Sequence, residues 1–177
     1  MTSSSPALAD LDYTPYLDEN GQLTEGWEGK VGVYAIFNQA KTLQFIGYSR
    51  DVALSLRQHL VRQPQQCYWV KVVTIDRPSR AVLEEIRDTW IAENGAIPIG
   101  NADHEALWSQ PIDAKQSMTS NEQQAYAAGD ELDQIKVLKQ VARRVEEQVL
   151  KALAERGVQI QIRFNPKLKE SGLLDLK

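Results

Sequence analysis

Short apolar runs alternate with segments of helical spacing in the central part of the chain. Val31–Phe37 and Leu43–Tyr48 are apolar and rich in β-branched or aromatic residues, and the five residues between them suit a hairpin loop. A helix, a third strand and a second helix are expected next, with Ser49 and Ser79 as the predicted helix N-caps. Their predicted ranges are 50–62, 68–75 and 80–94. The pattern therefore predicts the order β-β-α-β-α.

Two polar segments flank this central part, and a long helix lies beyond the second one. Residues 1–28 are acidic and predict an exposed arm whose Leu and Tyr side chains attach to the core, whereas residues 102–129 are polar and predict a linker or a loosely held loop. Residues 130–156 place apolar side chains at spacings of three and four, which predicts one long helix that packs on the domain or on a partner helix. The alternating run Val158–Phe164 predicts a half-buried strand. The resulting division has four regions, which are 1–28, 29–101, 102–129 and 130–177.

Composition favours a water-soluble protein of a reducing compartment. The chain has 177 residues, and a hydrophobic content of 42% is enough for a core. No run approaches the roughly 20 apolar residues that cross a bilayer, and the N-terminus lacks the basic and apolar regions of a signal peptide. A single cysteine, Cys67, excludes an internal disulfide and a multi-cysteine zinc site. We therefore expect a cytoplasmic protein with no membrane partner.

Charge limits the ways in which the chain could contact nucleic acid. The net charge is −4, so there is no general electrostatic attraction to a polyanion. Residues 26–101 are mildly basic, with nine Lys and Arg residues against seven Asp and Glu residues. Any contact with DNA is therefore expected to be local.

Two short motifs lie on the strands of the predicted hairpin. The triplet Gly32–Tyr34 (Gly-Val-Tyr) is on the first strand, and Phe45–Gly47 (Phe-Ile-Gly) follows on the second strand after ten intervening residues. The segments Ala81–Glu85 and Pro98–Asn101 come afterwards in chain order. This succession resembles the GIY-YIG nuclease superfamily. The resemblance implies an α+β fold with a small, mainly antiparallel sheet flanked by helices, to which this chain adds a C-terminal long helix and strand.

The resemblance also implies a metal-dependent nuclease, and four positions match residues that active members use. Tyr34 matches the tyrosine that assists the attacking water, and Glu85 matches the glutamate that binds a divalent metal. His59 and Asn101 match a histidine and an asparagine, which we expect to position the phosphate. Glu85 is expected at the edge of the apolar face of its helix, with Glu84 turned to solvent. These matches predict an Mg²⁺-dependent endonuclease acting on DNA.

Two other positions depart from the family pattern. Ser55 stands where the family has an arginine that stabilises the phosphate, and Phe45 replaces the second tyrosine. Arg62 shares the helix flank of Ser55, but it lies about 10 Å further along the axis and would reach only an extended substrate. Loss of one preorganised donor commonly costs about 10²–10³ in rate. We therefore expect weak or specialised cleavage from a degenerate site.

A narrower resemblance covers about residues 29–101. This stretch is similar to the GIY-YIG-like N-terminal extension of plant chloroplast monothiol glutaredoxins, which suggests a stand-alone cyanobacterial relative as the source. The chain lacks the glutaredoxin motif Cys-Gly-Phe-Ser, so iron–sulfur carriage is not implied. Cys67 has two open interpretations, a small buried hydrophobic residue or a redox-responsive thiol, and the second requires exposure.

A different class of function is also open. The chain could be a catalytically inactive binding or regulatory module that recruits a protein partner through the hairpin rim and the helix 130–156. Negative net charge, Ser55 and Phe45 favour this alternative. Tyr34 and His59 would then be ordinary core or rim residues. The nuclease hypothesis instead requires that Tyr34 and Glu85 reach the same hollow.

Overall fold

The computed structural model describes residues 5–177, so the first four residues of the predicted acidic arm lie outside the described range. The chain divides into two compact units, one ending at Ser109 and the other spanning Gln110–Lys177. Within the described residues, no helix combines the length and the apolar character that a membrane span requires.

The first unit is built on a four-stranded antiparallel sheet with the order β1-β4-β2-β3. The predicted hairpin is confirmed, because β2 and β3 pair from Gly32↔Ser49 to Phe37↔Leu43. Residues 32–37 of β2 are all buried, as expected for a central strand of branched and aromatic residues. The predicted α+β class, with a small antiparallel sheet flanked by helices, is confirmed. The strands are β1 (Thr14–Pro15), β2 (Val31–Phe37), β3 (Leu43–Ser49) and β4 (Trp69–Ile75).

Two helices cover opposite faces of this sheet. Helix α1 spans Val52–Arg62, and helix α2 spans Arg80–Asn94, close to the predicted ranges. Leu83, Ile86 and Trp90 of α2 pack on the face formed by alternate residues of β2, which are Val33, Ala35 and Phe37. Helix α1 lies on the other face, where Tyr34 contacts His59.

One of the two predicted helix N-caps is observed and the other is not. Ser79 caps α2 through a hydrogen bond from the Val82 N–H, as predicted. The predicted Ser49 cap of α1 is wrong, because Ser49 is still paired in the hairpin and Asp51 accepts the capping bond from Leu54 instead. The chain therefore needs two more residues after β3 before it enters the helix.

In the acidic N-terminal segment, Leu and Tyr side chains attach to the core as expected, and the segment also adds a short strand that the sequence did not predict. Leu8 and Tyr16 are buried, and β1 adds to the free edge of β4. The carboxylate of Glu93 accepts hydrogen bonds from the N–H groups of Leu8 and Ala9 at 2.9 and 2.8 Å. Apolar residues within the acidic segment thus attach it to the domain.

Residues 102–129 also differ from the predicted linker, because they contain two helices, α3 (Glu105–Ser109) in the first unit and α4 (Ser120–Ala128) in the second. A capping box between Thr119 and Glu122 starts α4. None of its side chains is buried, so the sequence lacks the apolar stripe by which a helix is recognised.

The second unit is organised by a long helix, α5, which spans Glu131–Glu155 and confirms the predicted helix. Strands β5 (Ile112–Asp113) and β6 (Leu173–Leu174) pair with each other, and a short helix, α6, spans Pro166–Lys169. The predicted strand at 158–164 is wrong: Val158 and Phe164 are buried, but the segment forms a single isolated bridge to Leu176. Buried and exposed side chains alternate along this segment, but its backbone does not pair with a strand beyond the bridge at Phe164.

Candidate functional site

A polar hollow of about 310 Å³ lies beside the edge strand β3. Its walls come from β2, β3, α1, α2, the 3₁₀ turn Ile99–Asn101 and α3. The polar and ionisable side chains that line it are Tyr34, Tyr48, Ser55, Gln58, His59, Arg62, Arg87, Asn101, Glu105 and Ser109. Three of the four predicted site residues therefore reach one place.

Tyr34 and His59 form the most buried part of the hollow. The Tyr34 hydroxyl lies 2.8 Å from Nε2 of His59, and only 3% and 4% of the two residues is exposed. Tyr34 is paired across the hairpin with Gly47, and a Cβ at position 47 would come within 2.8 Å of the phenol oxygen. The absence of a side chain at Gly47, the glycine of the second triplet, therefore allows the Tyr34 ring to pack over β3.

Burial keeps both members of this pair neutral at pH 7. It raises the pKa of Tyr34 well above its usual range, and this outweighs the opposing effects of the Ser55 hydroxyl and the Arg62 charge. Burial, with a smaller contribution from the Arg62 charge, lowers the pKa of His59 to about 3. The phenol can then donate to Nε2 of the neutral ring.

The other ring nitrogen of His59 is poorly satisfied. The Trp108 carbonyl is close enough to favour the charged imidazole, but that oxygen accepts a hydrogen bond at 3.0 Å from Nη1 of Arg62. Nδ1 of His59 has no hydrogen-bond partner among the residues that the structure describes. Trp108 also stacks on Phe45, with ring centroids 5.3 Å apart and planes 4° apart. The tryptophan of α3 therefore helps to bury the Tyr34–His59 pair.

Ser55, at the position where the GIY-YIG resemblance predicts an arginine, belongs to a local network. Its hydroxyl donates to Oγ of Ser49 at 2.7 Å, and Ser49 in turn bonds to the backbone of Asp51. This network joins the end of β3 to the first turns of α1. Ser55 contributes no charge to the hollow.

Asn101 has a structural role that its motif position did not reveal. Its Oδ1 accepts the Ile46 N–H at 2.8 Å, and its Nδ2 donates to the Ile46 carbonyl at 2.7 Å. Ile46 lies on β3, an edge strand of the sheet, so the amide takes the place of a neighbouring strand at that residue. These two bonds use the amide group that was expected to position phosphate.

The structure does not bring Glu85 to the hollow. Glu85 is exposed and does not line the cavity. Glu84, expected to point to solvent, has a side chain that is 34% exposed, and its carboxylate accepts hydrogen bonds from the Tyr48 hydroxyl at 3.1 Å and from Nε of Arg80 at 2.7 Å. Val82 of α2 is 40% exposed, and the buried residues of this helix are Leu83, Ile86 and Trp90.

Two arginines line the hollow instead. Arg62 reaches it from the last turn of α1, and Arg87 reaches it from α2, three residues beyond Glu84 on the same flank. The Arg87 guanidinium lies 5.3 Å from the centroid of the Tyr48 ring, and its Nε donates to Asp88 at 3.0 Å. The sequence pattern drew attention to Arg62 but not to Arg87, because it does not show which flank of α2 faces the hollow.

The residues of the hollow do not fit the predicted Mg²⁺ site. Mg²⁺ prefers carboxylate oxygens as ligands. Within the described part of the chain, the lining of the hollow contains one carboxylate, that of Glu105, and the guanidinium groups of Arg62 and Arg87 repel a cation. Among the described residues, no group of three or more His, Cys, Asp and Glu side chains could hold a metal ion.

Cys67 lies just before β4 and is fully buried. A redox-responsive thiol must be accessible to an oxidant or to a second thiol, and burial of this side chain denies that access in the folded state. The thiol therefore behaves as a small apolar residue of the core in this conformation.

Comparison with known proteins finds similarity over part of the chain. No protein-family model matches it. The chloroplastic bifunctional monothiol glutaredoxin-S16 of Arabidopsis thaliana is 40% identical over 74 residues, which are 40% of this chain and 25% of that protein. The chain therefore spans about a quarter of the length of this curated relative. The predicted resemblance to a plant chloroplast monothiol glutaredoxin is confirmed for this stretch, whereas GIY-YIG membership stays a prediction.

Proposed function

We propose that this chain is a catalytically inactive GIY-YIG-like binding module whose hollow receives a phosphate-type anion. The observation that carries the proposal is that Arg62 and Arg87 line the hollow while Glu85 lies outside it. A guanidinium presents planar paired donors that match the oxygens of a phosphate. The same two cations disfavour the divalent metal on which the predicted nuclease depends.

The protonation of the buried pair also supports an inactive module. An efficient general base has a pKa near the working pH. Burial moves the pKa of His59 down to about 3 and that of Tyr34 upwards, so neither group is poised to remove a proton from water at pH 7. Ser55 supplies no charge that would stabilise a phosphorane-like transition state.

Calorimetric titration with orthophosphate tests the proposal. The Arg87→Gln variant should bind orthophosphate in the hollow about tenfold more weakly, because a charge-assisted hydrogen bond is lost. Arg77→Gln is the matched control, since Arg77 is an exposed arginine of the same unit that does not line the hollow. Equal affinities of the two variants would overturn the proposal.

A second candidate function is slow phosphodiester cleavage of DNA, as predicted from the resemblance. The 2.8 Å contact between Tyr34 and His59 favours it, because a phenol and an imidazole at this distance can exchange a proton. Plasmid nicking in the presence of Mg²⁺ distinguishes the two functions. Nicking that is abolished by Tyr34→Phe and by Glu85→Ala supports cleavage, and its absence from the wild-type chain supports the binding module.

A further inference from the structure

The second unit carries a concentrated group of cations that the proposed function does not use. Five of them, called here the α5–α6 basic surface, are Lys136, Lys139 and Arg143 on α5 and Lys167 and Lys169 on α6. They line two hollows of about 640 and 220 Å³, and Lys139 and Arg143 belong to both. The two hollows therefore adjoin through a shared pair of positive side chains.

The three cations of α5 lie on one face of the helix. Positions 136, 139 and 143 follow the spacing of three and four, which keeps them on one face and separates them by about 4.5 and 6 Å along the axis. The opposite side of the helix is buried through Leu138, Val141 and Ala142. The basic face therefore lies away from the buried side of α5 and borders α6, with which it lines the smaller hollow.

Neighbouring carboxylates neutralise only part of this charge. Lys169 pairs with Glu146 at 2.7 Å, and Lys139 approaches Glu170 at 3.6 Å. Within the described part of the chain, Lys136, Arg143 and Lys167 have no ion pair within 4.0 Å.

The charge of the lining is opposite to that of the whole chain. Six cations line the two hollows when Arg144 is included, and two acids, Glu147 and Glu170, line them as well, which leaves an excess of four positive charges. Even when the partners Glu122 and Glu146 are counted, two positive charges remain in a chain whose net charge is −4. A local excess of this kind attracts small anions.

We infer that the α5–α6 basic surface is a binding site for a compact oligophosphate, a ligand that carries several linked phosphate groups. One phosphate would contact the shared pair, Lys139 and Arg143, and the next phosphates would reach Lys136 on one side and Lys167 on the other. The guanidinium of an arginine can donate two parallel hydrogen bonds to phosphate oxygens, and the ammonium of a lysine brings a compact positive charge with three N–H donors. The site is separate from the hollow of the first unit and does not depend on its function.

The limits of the positive region argue for a compact ligand. Asp130, Glu131 and Asp133 precede the cations on α5, and Glu146 and Glu147 follow them. The positive stretch of α5 is therefore only about two turns, or roughly 10 Å. A nucleic-acid backbone or a bilayer surface would extend beyond it and meet these carboxylates.

Titration with tripolyphosphate tests this inference in the chain that carries Arg87→Gln, which weakens anion binding in the hollow of the first unit. Tripolyphosphate should bind at least about tenfold more tightly than orthophosphate, with affinity that falls as salt is added. The double substitution Lys139→Gln/Arg143→Gln should weaken tripolyphosphate binding about tenfold or more. Amide NMR signals of residues 136–144 and 167–169 should shift on binding.

The matched control is Lys151→Gln/Arg163→Gln, which removes the same charge from positions outside both hollows. Unchanged tripolyphosphate affinity in this control supports a defined site, and an equal loss in both double variants refutes it. A single-stranded oligonucleotide and phosphatidylglycerol vesicles complete the test. Tighter binding of either one than of tripolyphosphate, abolished by Lys139→Gln/Arg143→Gln, would overturn the assignment to a compact ligand.

Discussion

His59 is enclosed by Tyr34, Phe45 and Trp108, with the Arg62 charge nearby. Its pKa is about 3 in the folded chain, against 6.5 for the ordinary imidazole. Between these two values the unfolded chain binds a proton that the folded chain does not bind. The free energy of unfolding should therefore fall as the pH falls from 6.5 towards 3, by up to about 1.4 kcal/mol per pH unit from this group.

Urea unfolding between pH 7 and pH 4 measures this effect. His59→Gln should flatten the pH dependence by the contribution of one proton, whereas His104→Gln, at an exposed position, should leave the wild-type slope in place. Parallel curves for wild type and His59→Gln would contradict this expectation, because they would mean that the imidazole takes up its proton at the same pH in the folded and the unfolded chain.

At the scale of single residues, the sequence motif predicted part of the site. Tyr34 and His59 converge as expected, because their positions follow from the hairpin register and from one face of α1. Glu85 does not converge with them. A helical pattern shows which side chains are buried, but it does not show which flank of the helix faces a neighbouring site, and Arg87 lies on the flank that does.

At the scale of elements, Asn101 joins the 3₁₀ turn to the edge of β3 through its paired bonds to Ile46. Asn101→Ala leaves the N–H and carbonyl of Ile46 without these partners, which should lower the free energy of unfolding by about 1–3 kcal/mol. Chemical denaturation provides the measurement.

Asn94→Ala is the comparison for this substitution, because the amide of Asn94 makes one exposed bond to Ala96. It should cost at most about 0.5 kcal/mol. Equal losses in the two variants would show that the bonds to Ile46 do not stabilise the edge strand.

Apolar periodicity predicted those elements that bury a face and missed those that do not. The hairpin, α1, α2 and α5 were predicted close to their observed bounds, since each places apolar residues against a core. Helix α4 buries no side chain and forms through its capping box and through the bidentate pairing of Glu122 with Arg144. This pairing connects residues 22 positions apart, which local pattern analysis does not detect.

At the scale of the whole molecule, the distribution of charge carries more information than its sum. A net charge of −4 predicts no general attraction to polyanions, yet two arginines line the hollow of the first unit, and lysines and arginines line one surface of the second unit. The sequence could not reveal this grouping, because Arg62 and Arg87 are 25 positions apart. They line the same hollow only when α1 and α2 are both packed on the sheet.

The most direct test of the central claim, that the first hollow receives an anion, is an amide NMR titration of the full chain with orthophosphate and, separately, with Mg²⁺. Orthophosphate should produce saturable shifts at Ile46, Tyr48 and Arg87, whereas Mg²⁺ should leave these signals in place. Saturable Mg²⁺ shifts at Tyr34 and Glu85, with no response of the Arg87 signal to orthophosphate, would contradict the account.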